Sequence, residues 1–92
     1  METELRLDLI ILGRVQGVGY RYYTKIKAES LNIRGSVKNM RDGTVFVIAQ
    51  GQKNAMEIFL KWCYKGPPGA IVSKIDKVRG KTEDFTGFVV IY

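Results

Sequence analysis

Gly13-Arg14-Val15-Gln16-Gly17-Val18-Gly19-Tyr20-Arg21 leaves an apolar strand and enters a helix, and its residue types suit the binding of an anion, phosphate first among them. Glycines at 17 and 19 let the backbone take conformations closed to larger residues, so that the consecutive amide N–H groups of Gln16, Gly17, Val18, Gly19, Tyr20 and Arg21 can converge on one point. The helix that follows adds its own unpaired N–H groups and the positive end of its dipole. Arg21 falls in the first turn of that helix, where a planar, permanently charged guanidinium can grip two phosphate oxygens at once. The plain alternative is a Gly-rich strand-to-helix turn followed by a solvated arginine. Other phosphate motifs do not fit: no Gly-Lys-Ser/Thr follows the loop, and Gly17-Val18-Gly19 lacks the third glycine of a dinucleotide fingerprint.

Composition narrows the chemistry further. The 92 residues contain no histidine and one cysteine, Cys63, which removes the usual general base, the commonest zinc ligand and the Ser/His and Cys/His nucleophile pairs. No metal site and no cofactor are expected, and no carboxylate pair is placed for acid/base work. Cys63 reads as a small packed hydrophobe. Catalysis would rest on positioning and electrostatics. Between Arg14 and Arg41 there are seven basic residues against one acid, Glu29, so the net charge of +6 lies wholly in the segment that holds the loop. Such a concentration attracts anionic substrates, and it also fits a nucleic-acid partner.

The elements that must position this loop follow from apolar spacing. Leu5 to Leu12 alternates as a strand with Leu5, Leu7, Leu9 and Ile11 on one face. A helix from about Tyr20 to Leu31 is expected to bury Tyr20, Tyr23, Ala28 and Leu31. Arg34–Asn39 and Thr44–Gln50 form two antiparallel strands across a turn signalled by Asp42-Gly43. A second helix should start near Asn54, with Asn54 and Glu57 as its capping pair, and stop before Gly66-Pro67-Pro68-Gly69. Its buried face reads equally well as Met56, Phe59, Leu60 and Cys63 or as Ala55, Ile58, Phe59 and Trp62. Ile71–Val78 and Phe85–Ile91 supply the last strands. Length allows one domain over residues 1–92, and the acidic start Met1-Glu2-Thr3-Glu4, with Arg6 and Asp8 breaking the apolar run behind it, fits neither a signal peptide nor a membrane span. A cytoplasmic protein is the expectation.

With these elements in place the chain resembles the acylphosphatase family over nearly its whole length. The resemblance is carried by Gly13-x-Val15-Gln16-Gly17-Val18-Gly19-Tyr20-Arg21, by Gly35-Ser36-Val37-Lys38-Asn39-x-x-x-Gly43-x-Val45 with Gly51 beyond it, and by Gly66-Pro67 before Ala70-x-Val72. It implies an α+β fold of the ferredoxin-like sandwich type: a βαββαβ-type, mainly antiparallel mixed sheet with two helices on one face. It also implies a metal-free hydrolase that splits the carboxyl–phosphate bond of a small-molecule acyl phosphate, with inorganic phosphate as product and competitor. The family's phosphate-holding arginine and its asparagine fall on Arg21 and Asn39. Chemically, a carboxylate leaves without a strong general acid, so phosphoryl transfer needs held oxygens, matched charge and an in-line water. The Asn39 amide, which both accepts and donates, suits the water; locally it also reads as a residue that ends a strand. The chain departs from the family pattern at Tyr20, where phenylalanine is usual and the added hydroxyl needs a partner, and at Ser36, where an aromatic is usual. Phe46 stands where a charged residue is frequent. The reading from a different class is a non-catalytic phosphate- or RNA-binding module on the same sandwich. Leu and Ile in the first strand, where stacking aromatics would stand, argue against a nucleic-acid partner. A monomer without a membrane partner is expected.

Overall fold

A computed structural model describes residues 3–92. Met1 and Glu2, the first residues of the acidic start and of the 1–92 domain, lie outside the described residues. The order is β1 (Glu4–Arg14), α1 (Tyr20–Ser30), β2 (Arg34–Asn39), β3 (Val45–Gln52), α2 (Lys53–Lys65), β4 (Ile71–Gly80) and β5 (Phe88–Ile91). The five strands form one sheet in the order β4-β1-β3-β2-β5, antiparallel throughout except for the parallel pair β2–β5. Both helices pack on the face that carries Leu9, Ile11, Val37, Val45, Val47, Ala49, Ile75 and Phe88. These residues sit at the same phase of their alternating strands, so one side of the sheet faces the helices and the other stays open. The ferredoxin-like α+β sandwich is therefore present, with β5 added beside β2.

Tertiary contacts move several boundaries. Helix α1 buries Tyr20, Thr24 and Ala28, whereas Tyr23 is 45% exposed and Leu31 is a partly buried C-cap. Thr24 can enter the core because its hydroxyl donates to Tyr20 O at 2.6 Å, leaving no unsatisfied polar group. Helix α2 begins one residue before Asn54, at Lys53, with Gln52 as N-cap and no side-chain cap. The expected Asn54–Glu57 cap is absent because β3 keeps pairing with β1 as far as Gln52, which carries the chain straight into the helix. Its buried face is Met56, Phe59 and Cys63 with Leu60 partly covered, while Ile58 is exposed. Strand β5 starts at Phe88, three residues after Phe85, because residues 81–87 must cross the end of the sheet from one edge to the other. Gln50, only 2% exposed, holds that crossing: its Oε1 accepts from Glu83 N at 2.9 Å and its Nε2 donates to Glu83 O at 2.8 Å, a side-chain copy of a strand rung.

Candidate active site

Where β1 ends, the Gly-rich loop is tied down on both sides. Gln16 Nε2 donates to Met40 O at 2.8 Å and Thr44 O at 2.9 Å, fastening the loop to the β2–β3 turn. On the other side the Val18 side chain lies over Gly69 in the α2–β4 connection, and Val15 is buried. Gly17 (φ 77°) and Gly19 (φ 78°) both occupy the left-handed region, and Gly19 is the N-cap of α1. Tyr23 N donates to Gly19 O at 3.1 Å and closes the first helical turn. Among the described residues no amide N–H from Gln16 to Tyr22 has a hydrogen-bond acceptor. The first turn of α1 carries no acidic residue, so this concentration of donors and helix dipole is not neutralised locally.

A cavity of about 160 Å³ opens above the loop, lined by Val15, Gly17, Gly19, Tyr20, Arg21, Tyr22, Asn39 and Tyr92. At a water's share of roughly 30 Å³ of liquid volume, it has room for a phosphate group and a water. Arg21 enters from the first turn of α1, and its guanidinium carbon lies 4.8 Å from the centre of the Tyr92 ring. Its Nη1 also donates to Ile91 O at 3.5 Å. Asn39 comes from the last position of β2, beside the turn in which Met40 N donates to Thr44 O and Gly43 N to Met40 O. Asn39 Oδ1 is buried with no hydrogen-bond partner among the described residues. An unpaired buried acceptor costs about 1–3 kcal/mol, which marks this oxygen as one that needs a donor from a bound group. A larger depression of about 530 Å³ at the far end of β1, near Glu4, Lys53 and Arg79, has no comparable set of convergent donors.

The family model for acylphosphatase matches residues 7–90. The chain belongs to the acylphosphatase family. It is 41% identical over 91 residues to an acylphosphatase of Acaryochloris marina, covering 99% of this chain and 98% of that one. To an acylphosphatase of Thermotoga maritima it is 42% identical over 86 residues, covering 94% and 96%. The crystal structure of acylphosphatase from Bacillus subtilis superposes with a TM-score of 0.93 at 35% identity, covering 96% of this chain and 99% of that one. The chain is an acylphosphatase-type enzyme, acting on a small-molecule acyl phosphate.

In this acylphosphatase fold Gly17, Gly19, Tyr20, Arg21 and Asn39 meet at one cavity, although helix α1 lies between the loop and the strand β2 that carries Asn39. The Gln16 and Val18 side chains take no part in it, the Gln16 carboxamide being committed to the β2–β3 turn and the Val18 side chain packing toward the core, so that only their backbone N–H groups, which have no acceptor among the described residues, are left to face a bound group. Val15 and Tyr92 line the cavity without having been picked out as site residues, and Tyr22, a helix-surface position next to Arg21, lines it too. Tyr92 has no local signal, since it reaches Arg21 only because β5 runs parallel beside β2. The extra hydroxyl of Tyr20 donates to Cys63 O at 2.6 Å, and burial pushes its pKa well above the ordinary tyrosine value. Cys63 is fully buried and its thiol is pushed up to about 12, chiefly by desolvation, which suits packing and not nucleophilic attack. Ser36 pairs in register with Ile48 and Val89 on the open face, so the missing aromatic lies away from the cavity. No group of three or more His, Cys, Asp or Glu comes together among the described residues, and no described helix is long and apolar enough to cross a membrane.

Proposed function

We propose that the backbone amides of Gln16, Gly17, Val18, Gly19, Tyr20 and Arg21, together with the Arg21 guanidinium, hold the phosphate of the acyl phosphate, and that Asn39 aims the attacking water. The observation that carries this reading is the buried, unpaired Oδ1 of Asn39 at a cavity also lined by Gly17, Gly19 and Arg21. Oδ1 accepts one water proton and so turns the water's lone pair toward phosphorus. Attack forms the new P–O bond as the bond from phosphorus to the acyl oxygen breaks. The electron pair leaves with the carboxylate, and the water's proton passes to a phosphate oxygen. Charge on the equatorial oxygens is met by Arg21 and by the loop's unpaired amides, held in place by the folded backbone, so little reorganisation accompanies the reaction. The Tyr92 ring and Ile91 O restrict where the guanidinium can go. No resident metal or cofactor enters this scheme. The same reading takes the chain as a single domain, acting as a cytoplasmic monomer without a nucleic-acid partner.

Benzoyl phosphate hydrolysis followed by absorbance tests the assignment, with wild type, Arg21→Ala and Asn39→Ala, in EDTA and with inorganic phosphate as competitor. Loss of one positioned donor is expected to lower kcat by about 10²–10³-fold in each variant. Wild-type turnover should resist EDTA and be inhibited competitively by phosphate. Turnover that survives Asn39→Ala within a few-fold refutes the role of Asn39; turnover abolished by EDTA refutes the metal-free scheme.

A further inference from the structure

We propose that the acyl part of the substrate lies in a groove between Tyr23, Trp62 and the Pro67-Pro68 turn, and that the Tyr23 ring makes this site prefer flat, aromatic acyl groups. The inference rests on the placement of phosphate and water given above and adds a direction to it. In-line displacement puts the leaving oxygen on the side of phosphorus opposite the attacking water. Asn39 stands on the flank of the loop that Gln16 fastens to the β2–β3 turn. The leaving group must therefore depart over the opposite flank, where Val18 lies against Gly69 and the Tyr23 ring lies against Gly19.

That flank has a built receptacle. A groove of about 410 Å³ is lined by Tyr23, Trp62, Lys65, Pro67, Pro68 and Ala70, among others. Gly19 lines the phosphate cavity, and the position its Cβ would occupy is only 3.3 Å from Tyr23 Cε2, so the Tyr23 ring sits directly against a residue of the cavity wall. The Tyr22 ring, which also lines the cavity, meets Tyr23 edge-on at 5.1 Å. Trp62 is held against Tyr20 with ring centres 5.7 Å apart, and Ala70 N donates to Pro67 O at 3.1 Å, so the far wall is preformed. Tyr23 itself is 45% exposed: its helical position pointed to the core, yet the ring stands outward over the loop, where core packing gives it no role. Another depression, of about 470 Å³ beside Lys38, Met40 and Arg41, also touches Asn39. It lies on the water's side, and in-line geometry rules it out for the acyl group.

The test compares kcat/KM for benzoyl and acetyl phosphate in wild type, Tyr23→Ala, Tyr23→Phe and Arg41→Ala, with the inhibition constant of inorganic phosphate measured for each. Losing an aromatic face-to-edge contact is worth roughly tenfold at most beyond area, so the benzoyl-over-acetyl ratio should fall by about tenfold in Tyr23→Ala, mainly through KM. It should be kept in Tyr23→Phe and in Arg41→Ala. Phosphate inhibition should stay within about twofold in Tyr23→Ala. A ratio unchanged in Tyr23→Ala, or one that responds to Arg41→Ala instead, overturns the groove and leaves the phosphate loop standing. A ratio lost together with phosphate inhibition makes Tyr23 a prop for Gly19 and likewise overturns it. Absence of phosphate inhibition in wild type refutes the loop assignment itself. Pro68→Ser, at an exposed turn position, reads the same groove should Tyr23→Ala fail to fold, and a ratio unmoved there counts against the proposal.

Discussion

Tyr20→Phe removes one oxygen, and the structure says what that oxygen does. The Tyr20 hydroxyl donates to Cys63 O at 2.6 Å, with the ring 1% exposed. Cys63 lies in the last turn of α2, and the residue four further on is Pro67, which has no N–H to offer its carbonyl. The hydroxyl replaces the missing helical donor. Phenylalanine keeps the ring against Trp62 but leaves a buried carbonyl unpaired, at a cost of about 1–3 kcal/mol. For a domain of this size each kcal/mol moves the melting temperature by about 4–8 °C, so a fall of about 10 °C at pH 7 is expected by calorimetry or far-UV dichroism. The pH dependence is a sharper check. Burial raises the folded-state pKa of Tyr20 well above its ordinary 10.0, so the hydroxyl's contribution is fully present below about pH 10 and is lost as the pH rises beyond it, when the unfolded chain ionises. The gap in Tm between wild type and Tyr20→Phe should be constant from about pH 6 to 9 and narrow above about 10. A gap under about 2 °C at pH 7, or one that widens in alkali, would refute this account of the hydroxyl.

Gly19→Ala forces a Cβ onto a residue at φ 78° and to within 3.3 Å of the Tyr23 ring. A stability loss of about 1–2 kcal/mol is expected from the backbone alone, with weaker phosphate inhibition as the loop shifts; unchanged values for both would show that the left-handed turn is dispensable. With its thiol pushed up to about 12 and no exposure, Cys63 should resist iodoacetamide at pH 8 until the protein unfolds, as read by mass spectrometry of native and denatured samples. Rapid native alkylation would contradict its burial. Tyr92→Ala removes the ring 4.8 Å from the Arg21 guanidinium, and a contribution of about 0.5–1 kcal/mol predicts a two- to fivefold fall in kcat/KM with little change in melting temperature.

Much of this protein is written locally in the chain. Apolar spacing and the Asp42-Gly43 turn located the five strands, and the glycine pair and Arg21 stood out by residue type and spacing, whereas Asn39 was singled out by the family resemblance. Physical chemistry that operates within a few residues is enough for these: side-chain phase along a strand, left-handed φ at Gly17 and Gly19, a proline where Cys63 would seek its donor. What local chemistry could not decide depends on neighbours distant in sequence. The polar Thr24 is buried and the apolar Tyr23 is not, because the packed sheet and the loop take different faces of α1 from those its composition favours. The start of β5 is set by Gln50 gripping Glu83 across the sheet end, and the buried face of α2 by the strands beneath it. Tyr92 reaches Arg21 only through the parallel β2–β5 pairing, and Asn39 faces the loop only because Gln16 fastens that loop to the β2–β3 turn. Residue types and short-range conformation thus name the chemistry, whereas the distances between its parts come from long-range strand order, which no local pattern encodes.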